Sequence, residues 1–439
     1  MKIKDNVNTS KKKYTLIDAI LLSIGGMIGG GIFILNGLVV QKNKQWAPLS
    51  WFIGLFIALL ISFSYITLSQ EFNDSNGGTI FYMEKMINNT QIKKIYAVVT
   101  ILGYIALSTV YAQAFGEYSA NYINKPNLSR FLAISTIFMC LLINYFNEKK
   151  FIDIENYTVG TKVIIFLLII LIGLVIPGKN NTLSHQKSLS EHKSFSINNI
   201  IILGLGAFLT YEGFEMISNV TKKLEHKKRN IPLSYLISII ITGLLYMGIS
   251  YVSHKHLGGN LNQKSRFYSL LLLGKHYHLS LIGPLVIIFL AFLSDITAIN
   301  STLFVNNRIF NRFIEYFEPS SKFRKTLEHQ IKLPFFSEGR KSMVWLTCVV
   351  SSILVFCPMV ITTNLGSVLF MIIFGVIGYL GYLLIVQKEK KKESVLIFNS
   401  KIPYIVGKTI TILSIISCVL GILFISNQSL KIITGKIVI

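Results

Sequence analysis

Four ionisable side chains stand in apolar company, where an unpaired charge is costly. Lys162 lies within Thr161-Lys162-Val163-Ile164-Ile165, and Asp295 ends the stretch Ala291-Phe292-Leu293-Ser294-Asp295. Glu212 and Glu215 share Phe208-Leu209-Thr210-Tyr211-Glu212-Gly213-Phe214-Glu215. Buried groups of this kind take up and release a proton, or bind a cation. Covalent catalysis needs further parts, and there is no H-E-x-x-H pair, no G-x-S-x-G elbow and no Gly-x-Gly-Asp stretch. A T-V-G-Y-G filter is also absent, so an enzyme and a channel are both disfavoured. Cys140, Cys348, Cys357 and Cys418 sit inside apolar runs without paired spacing and read as core residues rather than metal ligands. The spacing of His254, His256, His276 and His278 suggests a metal or a pH sensor, but a solvated loop is the expectation.

The elements that position these groups follow from composition. The 439 residues are 52% hydrophobic and 14% charged, with a mean hydropathy of +0.56, which requires lipid as solvent. A hydrocarbon core of about 30 Å takes about 20 apolar residues per helix. Eleven runs are expected as spans: 14–40, 48–70, 95–122, 129–147, 153–177, 198–220, 233–253, 281–306, 342–360, 365–387 and 402–426. They form one domain over 1–439, with no soluble catalytic unit, since the longest polar stretch, Asn306 to Lys341, is basic and amphipathic. The basic N-terminus runs into a long apolar stretch and reads as a retained first span, not a removed signal. The net charge of +23 reads as topology. With the N-terminus inside, inner segments hold about 28 Lys and Arg against about 13 outside, so a cytoplasmic N-terminus is expected.

Two spans carry glycines where a lipid-facing helix avoids them. The first holds Gly25-Gly26-Met27-Ile28-Gly29-Gly30-Gly31, and the sixth holds Gly204, Gly206 and Gly213 around its two acids. Each interior glycine costs a helix about 1 kcal/mol relative to alanine, so unwinding is expected at both. A glycine face for close packing is the competing reading, since Gly25/Gly29 and Gly26/Gly30 have small-xxx-small spacing. The first and sixth spans each open a five-span set, 14–177 and 198–387, with 402–426 peripheral. Matching interruptions in two such halves point to an inverted-repeat carrier of opposite-facing repeats. Broken helices bare N–H groups at one half-helix end and carbonyls at the other, which suit a carboxylate and an ammonium, as in a zwitterionic amino acid.

Lys162 is read as the sole charge inside the fifth span, about 13 Å from its inner end. Desolvation penalises its charged form, which makes it a candidate proton carrier; a snorkelling or structurally paired lysine is the alternative. Asp295 lies about 21 Å from the outer end of the eighth span, at a similar depth, so the two could form a buried pair. Asp295 could instead bind a cation or recognise a cationic substrate. Lys408 and Glu117 lie near span ends, where snorkelling is the default.

At these residues the chain resembles the amino acid-polyamine-organocation superfamily of permeases. Gly26-Met27-Ile28-Gly29-Gly30-Gly31-Ile32-Phe33 is similar to the family's G-x-I-G-[SAG]-G-I-F stretch, and Tyr211-Glu212-Gly213-Phe214-Glu215 with Arg229-Asn230-Ile231-Pro232 is similar to its Y-[DE]-G-F-E and R-x-I-P signatures. The resemblance covers nearly the whole chain. It implies an all-α membrane fold of about 11–12 helices, built as the five-plus-five inverted repeat of sodium-coupled amino acid symporters, with broken helices 1 and 6. It further implies alternating-access transport of amino acids or amines across a cell membrane, without a bound cofactor. Ile28, Gly29, Gly30 and Gly31 would hold the substrate carboxylate, and Phe208, Thr210, Tyr211, Glu212, Gly213 and Tyr104 would complete the site. Lys162 resembles the lysine that replaces a sodium ion in proton-coupled members, so protons are expected to drive transport rather than sodium. Ser294 and Asp295 fall where the fold supplies ion-site oxygens, although a hydroxyl is expected in place of Asp295. Glu215 would serve a proton path or gate, with plain hydrogen bonding inside the bundle as the alternative. An exchanger and a transport-inactive sensor use the same parts. The chain departs from the family at Asn36, where a proline is frequent, and before Arg229, where Lys222, Lys223, His226 and Lys227 replace acidic and Asn-Pro residues.

Overall fold

A computed structural model describes residues 13–74, 78–145, 148–177, 196–258, 261, 269–277, 282–318, 320, 321, 324, 342–398 and 400–433. His278 and much of the basic stretch 319–341 lie outside them. The helices are α1 (Leu16–Met27), α2 (Gly31–Asn43), α3 (Ala47–Glu71), α4 (Gly78–Met86), α5 (Thr90–Tyr122), α6 (Ser129–Tyr145) and α7 (Glu148–Val175). They continue as α8 (Ile197–Phe208), α9 (Lys227–Leu257), α10 (Ser269–His276), α11 (Ile282–Glu315), α12 (Ser342–Leu354), α13 (Met359–Lys390) and α14 (Tyr404–Ile433). A two-stranded hairpin, β1 (Val395–Ile397) and β2 (Ser400–Ile402), joins the last two.

Each expected span has its helix, and several run past the membrane boundary that hydropathy suggests. The eighth continues as α11 to Glu315, and the seventh begins at Lys227, placing Arg229-Asn230-Ile231-Pro232 in the first turns of α9. Pro358 separates α12 from α13 because it cannot donate to a continuing helix. The short helices α4 and α10 and the hairpin lie between spans, where apolar periodicity gives no signal. Phe138, Tyr157, Ile353 and Leu423 on the outer helices are exposed, as a lipid-facing surface requires. The interior carries the polar groups, and α13 packs along α14, α3 and α5 while α9 packs on α3 and α11 on α5. Lys408 pairs with Glu389 at the end of α13, so it anchors α14 rather than snorkelling alone.

The first span is fixed at its start by a reciprocal cap. The Thr15 hydroxyl accepts from Asp18 N–H at 3.2 Å, and Asp18 Oδ2 accepts from Thr15 N–H at 2.8 Å, while Asn156 Nδ2 donates to Asp18 Oδ1 at 2.7 Å from α7. Just before it, Tyr14 pairs as a parallel bridge with Leu224, tying the entry of the first span to the loop after the sixth. Thr15→Ala should cost about 1 kcal/mol, read as a lower melting temperature of the purified protein in detergent.

Candidate functional site at two broken helices

The first span does unwind. Residue Ile28 leaves the helix at φ −86°, ψ 81°, and α2 restarts at Gly31 with Gly30 as its N-cap. The glycines permit contacts that a Cβ would block: Tyr111 lies against Gly29, Ala114 and Asp295 against Gly30, and Thr210 against Gly31. Close packing and unwinding therefore coexist, because an unwound backbone still has to be covered in a dry interior.

The sixth span is helical only to Phe208. Tight turns follow over Leu209–Tyr211 and Phe214–Asn219, separated by Glu212 at φ −55°, ψ 131° and Gly213 at φ 126°. That positive φ is open to glycine, and Gly213 uses its bare face to touch Gly26 and Met27, so the two breaks meet backbone to backbone. Gly204 has another role, packing α8 against Ile53 of α3. Glu215 folds back on its own turn: Oε2 accepts from Gly213 N–H at 2.7 Å and Oε1 from the Tyr104 hydroxyl at 3.0 Å.

The carbonyls bared at the end of α1 are all taken by side chains of this chain. Lys162 Nζ donates to Gly25 O at 3.1 Å, to Ile28 O at 2.9 Å and to Thr297 Oγ1 at 2.6 Å. Tyr246 donates to Met27 O at 2.9 Å and, through the same hydroxyl, comes within 3.1 Å of Thr210 O. Tyr111 reaches Gly26 O at 3.4 Å. Lys162 is thus fully buried and uses all three ammonium protons without an ion pair.

Lys162 and Asp295, which could have formed a buried pair, turn to different partners. Thr297, one residue beyond Asp295's neighbour Ile296, turns to the lysine, while Asp295 points to Gly30 on the other side of the break. Nor is Lys162 the sole charge of its span: Glu155, two turns earlier on α7, is buried against Gly25 and accepts from the Ser301 hydroxyl at 3.0 Å. Burial, not hydropathy, marks it, since it stands among the polar residues where the span begins.

The other candidates divide. Ile28, Gly29, Gly30, Gly31, Thr210, Glu212, Gly213, Ser294 and Asp295 gather at the breaks. Tyr211 instead donates to Trp51 O at 3.0 Å and packs on the Tyr246 ring, and Phe208 packs on Phe374. Tyr104 is held by Glu215 and Phe370, whereas Tyr111, two turns further along α5, reaches the first break. Tyr111, Tyr246, Thr297 and Glu155 were not singled out by sequence reasoning, because a tyrosine or threonine inside an apolar run looks like ordinary packing. Tyr246→Phe should remove the one hydroxyl donor that Met27 O and Thr210 O share and lower stability by about 1–3 kcal/mol, measurable by thermal melting.

The histidines that are described, His254, His256 and His276, form no metal-binding group. His256 Nε2 bonds Gly173 O at 2.8 Å, and no metal-binding group of His, Cys, Asp and Glu exists among the described residues. Cys140, Cys348 and Cys418 are buried, Cys357 is exposed, and all four are free.

The sequence model of a family described as amino acid permease matches residues 14–435. The inner membrane transport protein YbaT of Escherichia coli is 25% identical over 303 residues, 68% of this chain and 68% of that protein. An aspartate-proton symporter of Bacillus subtilis is 26% identical over 246 residues, 54% of this chain and 46% of that protein. The chain therefore spans roughly half to two thirds of the length of the curated relatives it matches. Among solved structures, a substrate-bound, outward-open Na+-coupled sialic acid symporter superposes with a TM-score of 0.60 at 13% identity, covering 93% of this chain and 90% of that one. That likeness is one of fold.

Proposed function

This chain belongs to the amino acid permease family, within the amino acid-polyamine-organocation superfamily, and from that premise we propose that it is a secondary transporter driven by protons. Its cargo is an amino acid or an amine related to one, moved by alternating access between the repeats 14–177 and 198–387. It is not an enzyme. The proposed location is the cell membrane with a cytoplasmic N-terminus, a reading supported by the excess of basic residues on the inner segments.

The observation that carries proton coupling is the seat of Lys162. Its ammonium caps the broken end of α1, at Gly25 O and Ile28 O, and reaches the Thr297 hydroxyl of α11. A protonated lysine there holds three elements together as a bound cation would, and a neutral one supplies one donor fewer and no charge. Loss of the proton therefore weakens the clasp between α1, α7 and α11, and a movement of the first span against the other two would follow. The fold is shared with a sodium-coupled symporter, and this chain places a fixed cation at the broken helix.

The test is uptake of radiolabelled amino acids and amines into proteoliposomes under an inward proton gradient, an inward sodium gradient, or preloading with unlabelled solute. Proton-driven accumulation is expected. Uptake that appears only with preloading would make the protein an exchanger, and binding without flux would make it a sensor.

A further inference from the structure

The inventory of unmet hydrogen-bonding groups at the breaks is lopsided. The carbonyls of Gly25, Gly26, Met27 and Ile28, which would otherwise receive a substrate ammonium, already accept from Lys162, Tyr111 and Tyr246. Among the side-chain oxygens left buried without a hydrogen-bond partner at the breaks are both carboxylate oxygens of Asp295, Oε1 of Glu212 and the neutral Ser294 hydroxyl, and the two acids are 1% and 2% exposed. The buried ammonium nearby, Lys162, is spent on carbonyls and Thr297.

Asp295 also stands in a particular place. Its Oδ1 lies 3.1 Å from where a Cβ on Gly30 would be, so the carboxylate stands against the Gly30 backbone. Gly30 is the N-cap of the thirteen-residue helix α2, and no backbone acceptor is found for the N–H groups of Gly30, Gly31 or Ile32 among the described residues. A helix N-terminus with free N–H groups attracts an anion, and here the chain supplies its own. A substrate carboxylate seated on the same N–H groups would lie beside Asp295 in a dry, low-dielectric interior, where two like charges repel strongly.

We propose that the substrate is a cationic organic amine without a carboxylate, with Asp295 filling the anion place at the α2 N-terminus and Glu212 and Asp295 together receiving the substrate's ammonium. The proposal rests on the transporter reading and names its substrate class. Asp295 faces Gly30, and Glu212 immediately precedes Gly213, whose bare face touches Gly26 and Met27, so both acids stand where the two breaks meet.

The test uses pairs that differ by a carboxylate: lysine with cadaverine, ornithine with putrescine, arginine with agmatine, and tyrosine with tyramine. Binding and uptake are measured with the full chain in proteoliposomes. In at least one pair the amine should bind about tenfold or more tightly than its amino acid. Asp295→Asn, and Asp295→Ser as a smaller second variant, should narrow or reverse that ratio, while Glu212→Gln should weaken both members alike. An amino acid preferred over its amine in every pair, or a ratio unchanged in both Asp295 variants, would overturn the proposal and leave the transporter reading standing. Absence of flux for both members of every pair would instead sink the transporter reading, and this proposal with it.

Discussion

Lys162→Ala is expected to cut proton-driven uptake by about 100-fold per folded protein, the scale on which a positioned proton-transfer group contributes. The substitution removes the donor for Gly25 O, Ile28 O and Thr297 Oγ1 at once. Each buried group so orphaned costs about 1–3 kcal/mol unless water enters, so melting should be followed in parallel and uptake normalised to folded carrier. Lys162→Arg should not restore activity, because a planar fork cannot satisfy three acceptors arranged around a tetrahedral ammonium, and it does not give up its proton. Proton-driven uptake retained at more than half the wild-type rate in Lys162→Ala would move coupling to another group, with Glu155 the nearest buried candidate on the same helix.

Gly213→Ala is the second large effect, and it acts on the fold. At φ 126° an alanine is strained by about 1–3 kcal/mol before any contact is considered. Its Cβ would also fall within the Gly26 carbonyl carbon and the Met27 nitrogen, which are backbone atoms with no rotamer to yield. Separating the two breaks would pull Glu215 from the Gly213 N–H and Tyr246 from one of its two carbonyls. Loss of monodisperse protein, or a melting temperature lowered by several degrees with no uptake, is expected, since each kcal/mol is worth about 2–4 °C in a chain of 150–250 residues and less in a longer one. Gly206→Ala is the control. A Cβ there meets nothing within 4 Å, and in the helical backbone of α8 alanine should be neutral or stabilising by up to about 1 kcal/mol. A Gly213→Ala protein with wild-type melting and uptake would mean that the contact between breaks is dispensable.

Physical restraint explains why some parts of the site were legible and others were not. Gly213 was legible because a glycine beside an acid in mid-span satisfies no propensity that a lipid helix rewards. Lys162 and Asp295 were legible for the same reason, since charge in an apolar run is costly and is kept only where something uses it. Their partners were not. Tyr104 and Tyr111 lie seven residues apart on one face of α5, so periodicity offers either to the break, and only the depth at which α5 crosses α1 chooses Tyr111. Glu215 was read as a proton path or gate, with hydrogen bonding inside the bundle as the alternative, and its carboxylate accepts from Gly213 N–H in its own turn and from the Tyr104 hydroxyl.

The amino-acid sequence by itself determined the solvent, the all-helical membrane fold and the two places where helices fail, because hydropathy and glycine content act locally and add along the chain. Tertiary structure alone decided which bared groups remain open. A carbonyl at a broken end accepts whichever donor the neighbouring helices bring within about 3 Å, and that depends on crossing depth and rotation, which no window of sequence contains. Lys162, Tyr111 and Tyr246 arrived at the carbonyls, no hydrogen-bond donor among the described residues arrived at the Asp295 oxygens or Glu212 Oε1, and that imbalance is a property of the packed bundle.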